Sequence, residues 1–353
     1  MSKATTFVDQ ACKKITLCTD DEYQTQAATA TADAECADLT PCEKGFIVIK
    51  KPTKTSNWVC AAPPDEEFGD PDKCKKELDT FKITLTGTYR ITATGAGGGD
   101  WGEHRGPKQE GGKGAKVSAN FDLEKDDVLH ILVGCSAPYK GDLDGGEGCS
   151  LKGGNHDSGG GGGSFVSLNG RANRNQVLIV GGGGGGSDPH NCASGAGKGD
   201  CRHAAVEVTG GGNGNAKSGC GHSGASNNYA GGTGGARGKG EGCCGDGGAG
   251  IDQTGEGGGK TTSYPFIGTS AAKAGTTVRG GGCGTGASCL GGYGGAGPDG
   301  NNGAGGGGGY SGGGGACCDG GGGGSYVNPE RGSSAKATAE NLEHGTVVIK
   351  FLG

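Results

Sequence analysis

Val177-Leu-Ile-Val-Gly-Gly-Gly-Gly-Gly-Gly186 runs four apolar residues straight into six glycines. The first four form a short, continuously apolar run rich in β-branched residues, the pattern of a strand buried on both faces. The glycines that follow have no side chain to bury and lose the most backbone freedom on folding. A strand is therefore continued, with no turn signal between, by a segment that cannot build a core. The same problem recurs along the chain. Glycine supplies 87 of 353 residues, aromatics are 5% and the apolar set is 31%. Further glycine runs stand at 159–163, 305–309, 312–315 and 320–324.

A flexible tether is the plain reading of such runs. Three features favour order instead. Some runs abut strands directly, the segments around them hold about ten cysteines, and the serines that accompany glycine in tethers are few. The ordered alternative is a bundle of polyglycine II helices, extended and left-handed, with three residues per turn and ~3.1 Å rise. Such helices have no internal hydrogen bonds. All-glycine faces would let neighbours approach closely enough to share N–H···O=C bonds between segments, with weak Cα–H···O contacts besides.

Alternating patterns around these runs read as half-buried strands. Phe81, Ile83 and Leu85 alternate with Lys82, Thr84 and Thr86, and Tyr89, Ile91 and Ala93 with Arg90, Thr92 and Thr94. Val117–Leu123 alternates similarly, and short apolar strands are expected at 128–133, 164–168, 177–180 and 203–209. At the far end Val347, Ile349 and Phe351 share a face, and this strand is expected to pair with those near 80–95. Seven or eight short strands without an amphipathic helix predict an all-β domain over 79–353, a β-sandwich or jelly roll.

Residues 1–78 read as a separate, small disulfide-rich module. Cys12, Cys36 and Cys60 are spaced by 24, as are Cys18 and Cys42. Thr29 matches Thr53, Thr31 matches Thr55, Asp33 matches Asn57 and Tyr23 matches Ile47. A unit this small cannot bury a face alone, so cross-links and stacking on its neighbour must order it. Bonds Cys18–Cys36 and Cys42–Cys60 would close loops of equal length, each worth ~3 kcal/mol in the chain-entropy model; connectivity stays open. A metal reading is weaker, because zinc knuckles space their cysteines more tightly. The stretch Cys18-Thr-Asp-Asp-Glu-Tyr-Gln-Thr through Cys36-Ala-Asp-Leu-Thr-Pro-Cys42 resembles the cysteine-rich repeats of tumour-necrosis-factor-receptor type, over residues 12–74. That resemblance implies an elongated ectodomain rod.

The larger domain carries a second resemblance. Gly87-Thr-Tyr-Arg-Ile-Thr-Ala-Thr-Gly-Ala-Gly-Gly-Gly99, Gly111-Gly-Lys-Gly-Ala-Lys-Val117, Asp127-Val-Leu-His-Ile-Leu-Val-Gly134, Gly159–Val166, Val177–Gly186 and Gly320–Val327 follow one another in order. Together they are similar to the glycine-rich extracellular domain of the anaplastic lymphoma kinase and leukocyte tyrosine kinase receptors. The resemblance implies a tumour-necrosis-factor-like β-sandwich with inserted polyglycine helices, a domain that binds a protein ligand in those receptors. No kinase or membrane span accompanies it here, so receptor signalling is not expected.

The 17 cysteines are Cys12, Cys18, Cys36, Cys42, Cys60, Cys74, Cys135, Cys149, Cys192, Cys201, Cys220, Cys243, Cys244, Cys283, Cys289, Cys317 and Cys318. So many in a chain of modest apolar content point to disulfide staples and an extracellular or cell-surface location. Residues 1–7 lack the apolar stretch of a secretory signal, but the cysteines weigh more. An odd count leaves at least one thiol for another chain or none. The adjacent pairs Cys243-Cys244 and Cys317-Cys318 should each reach different segments, since a bond within a pair would be strained.

Site chemistry is sparse. Asp142, Asp144 and Glu147 resemble half a calcium loop, but Gly153 stands where its closing glutamate belongs. An acidic surface turn is the plainer reading. Cys201-Arg-His203 and Cys220-Gly-His222 offer metal ligands, though disulfide cysteines beside solvated histidines suit them better. Gly309-Tyr-Ser311-Gly-Gly313 fits the nucleophile elbow inside a glycine run where chance matches are expected, and Gly221-His-Ser223-Gly-Ala225 misses it by its last residue. No cofactor is expected, and no catalysis. Net charge is −6 with both signs mixed, which argues against nucleic acid. Threonines 25, 29, 31, 53 and 55 are candidate O-glycan sites. The expected role is a non-catalytic extracellular structural subunit, of a surface filament or appendage. The alternative is a ligand-binding ectodomain or adhesin. Either has protein partners, and strand addition at an exposed edge is the expected mode of self-assembly.

Overall fold

A computed structural model of the chain describes residues 15–29, 32–43, 46–75, 77–100, 110–137, 158–169, 176–187, 231–232, 234–236, 238–240, 245, 247–251, 291–297, 303–315 and 319–353. These residues are all-β, with no α-helix among them. Contacts divide the chain into two compact units, Met1–Pro63 and Pro64–Gly353.

The first unit is the repeat made visible. Strand β1 (Glu22–Gln26) pairs with β2 (Glu35–Asp38), and β3 (Ile47–Lys50) with β4 (Val59–Ala61). Tyr23 faces Ala37 and Gln24 faces Cys36; 24 positions on, Ile47 faces Ala61 and Val48 faces Cys60. Both ladders shift at the same place, between Gln24 and Gln26 and between Val48 and Lys50. The bonds Cys18–Cys36 and Cys42–Cys60 are both present. A side-chain staple repeats too. Asp33 Oδ1 accepts the Thr16 N–H at 2.8 Å, and Asn57 Oδ1 accepts the Thr40 N–H at 3.0 Å. Thr29 and Thr53 each donate their N–H across a tight loop, to Ala32 and Ser56. With so little apolar surface to bury, these bonds and bridges specify the hairpins.

The second unit begins earlier than the expected boundary at residue 79. Strand β5 (Glu66–Phe68) lies at a sheet edge beside the last strand, and Cys74 bonds Cys135 across 61 residues. Pairing and cross-link thus claim residues 64–78. One sheet has the order β12-β11-β10-β9-β6, from β6 (Leu78–Lys82), β9 (Val128–Leu132), β10 (Ser164–Leu168), β11 (Val177–Gly181) and β12 (Tyr326–Val327). The other is β13-β8-β7-β14-β5, adding β7 (Gly87–Thr94), β8 (Gly114–Leu123), β13 (Gly332–Asn341) and β14 (Thr346–Phe351). Every pairing is antiparallel. Val347 faces Ala93 and Phe351 faces Tyr89, so the terminal strand does pair with 87–94. The strand expected through Leu85 stops at Lys82, because Ile83 turns to exchange bonds with Asp126 and Asp127.

One core is shared by both sheets. Tyr89, Ile91, Val117, Phe121, Val347 and Ile349 from one meet Leu129, Ile131, Val166, Leu178 and Ile179 from the other. The outer face of the β7–β8 sheet is wet, with Arg90, Lys116 and Asp122 exposed. In the other sheet, β10 and β11 are buried on both faces. Their second face packs Phe165, Val177 and Val180 against Ile251, Tyr293, Tyr310 and Tyr326.

The glycine runs are ordered. They extend the strands beyond one end: 95–99 leaves β7, 110–113 enters β8, 158–163 enters β10, 182–187 leaves β11 and 319–325 enters β12. Their amides bond to neighbouring segments in a register of three. Gly95 and Gly98 donate to Ala115 and Gly112; Ala96 and Gly99 donate to Gly162 and Gly159; Gly97 donates to Glu343. Gly183 and Gly186 donate to Gly308 and Gly305, while Gly323 and Gly320 donate back to Gly183 and Gly186. Successive residues thus serve different neighbours, and every third returns to the same one. Buried N–H and C=O groups must be paired, and here the pairing runs in several directions around each segment. A methyl built on Gly98, Gly184 or Gly185 would fall into the carbonyl oxygen of Gly185, Gly112 or Gly320. Only glycine permits this spacing.

Candidate functional site

The lattice gathers polar groups where its segments end. Ser158 Oγ lies 2.6 Å from the Gly99 carbonyl oxygen and accepts the Ser187 N–H at 2.6 Å. Gly99 donates to Gly159, and Asp100 Oδ1 accepts the Gly111 N–H at 2.9 Å. Asp100, Ser158 and Ser187, each of which borders one of the stretches 101–109, 138–157 and 188–230 on one side, therefore lie together. Ser158 and Ser187 are buried, so this cluster serves the scaffold and offers no open group to a ligand.

Ser311, the serine of the elbow-like motif, lies inside the lattice. Its side chain is fully buried, its Oγ accepts the Gly235 N–H at 3.0 Å and its carbonyl accepts the Gly324 N–H. The elbow reading needs a nucleophile exposed on a strand-turn-helix bend, and Ser311 is a lattice bridge. A serine–histidine pair that sequence reading missed does form. His344 Nδ1 accepts the Ser136 N–H at 3.0 Å and lies 2.9 Å from Ser136 Oγ. An N–H can only donate, so Nδ1 carries a lone pair and the ring proton of the neutral histidine sits on Nε2. That lone pair is already engaged by the backbone, which makes the pair a clamp beside the Cys74–Cys135 bond. The two residues are 208 apart, and no local pattern links them.

Tyr293 is the other unusual group. It is 3% exposed, and its hydroxyl is buried with no hydrogen-bond partner among the described residues. Burial, then the negative charges of Asp79 and Glu77, push its phenol up to about 12. Tyr310 and Tyr326 stack nearby with ring centroids 4.2 Å apart. Two carboxylates move the opposite way. Hydrogen bonds from the Thr19 backbone and side chain hold Glu22 below its usual range, and the Lys82 ammonium does the same for Asp126.

Asp142, Asp144 and Glu147 lie outside the described residues. So do Cys12, Cys149, Cys192, Cys201, Cys220, Cys243, Cys244, Cys283, Cys289, Cys317 and Cys318, with His203, His222, Ser223 and the strand expected at 203–209. Among the described residues no group of three or more His, Cys, Asp or Glu is placed to hold a metal, and no helix is long and apolar enough to cross a membrane. Three disulfides fit an oxidising environment.

The most conspicuous surface lies on the repeat unit. Ile47, Val48 and Ile49 of β3 are 45%, 44% and 62% exposed, and Ile15 and Leu17 are 57% and 84% exposed. Exposed apolar residues on a strand with one neighbour among the described residues invite another chain. No protein-family model matches the sequence, and no curated protein matches it.

Proposed function

We propose that the chain is a non-catalytic extracellular structural protein, a subunit of a surface filament or appendage, held by disulfides, strand pairing and polyglycine packing. The observation that carries this reading is the glycine lattice. A register of three with several bonded neighbours per segment is what polyglycine II helices require. Rigidity is then built from backbone bonds, and a large share of the chain is committed to a stiff body. The resemblance to the glycine-rich domain of the lymphoma-kinase receptors, with its tumour-necrosis-factor-like sandwich, belongs to the same reading, as does the rod-like repeat module. The partners are other copies or other extracellular subunits, without nucleic acid or cofactor.

A second reading is favoured by one feature. It is the likeness to the glycine-rich domain of the lymphoma-kinase receptors, which binds a protein ligand there and so suits a ligand-binding ectodomain or adhesin. Electron microscopy of the oxidised chain, with electrophoresis before and after reduction, separates the two. Ordered polymers support the structural subunit. A single monomeric species across concentrations would sink it and leave the binding domain.

A further inference from the structure

We infer that two copies of this chain join through the outer edge of β13, strand against strand about a two-fold axis at Thr338, with Lys336 of each copy facing Glu340 of the other. The inference rests on the structural-subunit reading above.

Strand β13 ends its sheet, and among the described residues β8 is its one neighbour. It is exposed at 333–336, Thr338 and Glu340. The ladder with β8 fixes which of its main-chain groups are free. Ala115 of β8 accepts the N–H of Gly95, which follows β7, so its own groups face β7. Alternation then turns those of Lys116 and Ser118 toward β13, onto Thr338 and Lys336 opposite them. Ala337 and Ala339 accordingly direct their N–H and C=O groups outward, and among the described residues nothing takes them. The ladder shifts between Ser333 and Lys336, where Ser334 is left-handed at φ +54°, and again between Ala339 and Asn341. Between those shifts the edge is regular.

A lysine in the middle of an edge strand ordinarily keeps copies apart. Here its charge is answered within the same strand. Outward-turned residues must meet outward-turned residues, so a symmetric antiparallel pairing centres on Ala337, Thr338 or Ala339. Centred on Ala337, Lys336 faces Thr338; centred on Ala339, it faces Leu342. Centred on Thr338, Ala337 and Ala339 bond Ala339 and Ala337 of the second copy, and Lys336 stands opposite Glu340. Positions of this kind bring cross-strand side chains closest. Both charges lie on the outer face of the sheet. Lys336 is exposed opposite Ser118, and among the described residues no carboxylate pairs with it. Glu340 reaches the Lys116 ammonium at 3.2 Å, and with 53% of its side chain exposed it has room for a second cation. The contact uses the same patch on both copies, so it makes pairs. A filament needs another contact besides.

Sedimentation velocity on the oxidised full chain, with carbodiimide cross-linking of isotope-labelled and unlabelled copies, tests this. Wild type is expected to give a Lys336–Glu340 link between a labelled and an unlabelled copy. Lys336→Glu and Glu340→Lys, each alone, set like charges opposite and should weaken pairing roughly tenfold or more. Mixed together, the two variants set opposite charges face to face and should pair again. A chain carrying both exchanges should do the same. Ala339→Pro removes an outward N–H while leaving the β8 ladder bonded, and should abolish pairing without any change of charge. Association unchanged in all these variants would overturn the β13 contact and leave the subunit reading intact. Single variants that separate but are not restored by mixing would overturn the register centred on Thr338. Links from Lys336 to a different strand of the second copy would overturn the symmetric pairing. A wild-type chain that stays monomeric at every concentration would end both the contact and the reading beneath it.

Discussion

Gly184 shows what a single residue does in the lattice. Its N–H donates to Ala96, its carbonyl accepts from Gly161, and the place its Cβ would take is filled by the Gly112 carbonyl. Replacement by alanine must push a bonded segment aside, because the obstacle is backbone and cannot rotate away. Gly234 is the contrast. Its φ is +58°, but none of the described residues lies within 4 Å of a Cβ there. Gly184→Ala is expected to cost at least about 3 kcal/mol, at the upper end of overpacking. Gly234→Ala should cost about 1–2 kcal/mol, the left-handed conformation alone. Chemical-denaturant midpoints of the oxidised proteins measure both, and equal losses would mean that the lattice yields easily. Tyr293 makes a different point at the same scale. Its hydroxyl is buried without a partner among the described residues, so Tyr293→Phe should hold stability or raise it by about 1 kcal/mol at neutral pH. Its folded value of about 12 lies above the ordinary tyrosine value of about 10. The folded state therefore keeps its proton where the unfolded state releases it, and stability falls as pH rises between the two values. Wild type should lose ground to Tyr293→Phe between pH ~10 and ~12 in alkaline unfolding curves. Parallel curves through that window would refute the assignment.

Elements were legible where chemistry is periodic and opaque where it is not. The 24-residue spacing marks the two repeats, though not that each is a hairpin, and its match of Asp33 with Asn57 falls on the side-chain staple that closes each one. Tyr89, Ile91 and Ala93 alternate clearly, and they face the core of β7. By contrast β13 reads Gly-Ser-Ser-Ala-Lys-Ala-Thr-Ala-Glu-Asn, where alanine alone alternates with polar residues. It is a mostly exposed edge strand held by its ladder with β8, and three small side chains give too faint an apolar pattern to mark it. Strand β5, Glu-Glu-Phe, is opaque because three residues are too few to show a period, so nothing in the sequence ties residues 66–68 to the last strand. The partner of Cys74 could not be read because cysteine spacing outside the repeat carries no period. The clamp of Ser136 on His344 was hidden for a related cause: two distant residues are joined by topology alone.

At the scale of the whole molecule, two interiors meet end to end. Between the sheets, apolar side chains supply the usual hydrophobic term, about 25 cal/mol per Å² buried. Beyond the strand ends that term is nearly absent, and stability has to come from backbone bonds that water cannot reach. Each such bond is worth only about 1 kcal/mol net, less than the ~1–2 kcal/mol needed to fix one residue's backbone. The lattice therefore cannot stand alone. It has to be nucleated by strands already fixed, which is what the junctions β7 to Gly95, β11 to Gly182 and Gly163 to β10 provide. Tyr310, Tyr326 and Ile251 anchor its far side against Phe165 and Val180. Coupling of this kind predicts one cooperative unit. Amides of Gly183, Gly184, Gly186, Gly307 and Gly308 should exchange with solvent as slowly as those of Ile91 and Val180, all through global opening. Hydrogen-exchange mass spectrometry of the oxidised chain compares peptides covering 182–187 and 303–309 with peptides covering β7 and β11. Slow strands beside fast glycines would show a lattice that opens by itself, and the claim that backbone bonding replaces an apolar interior would fall.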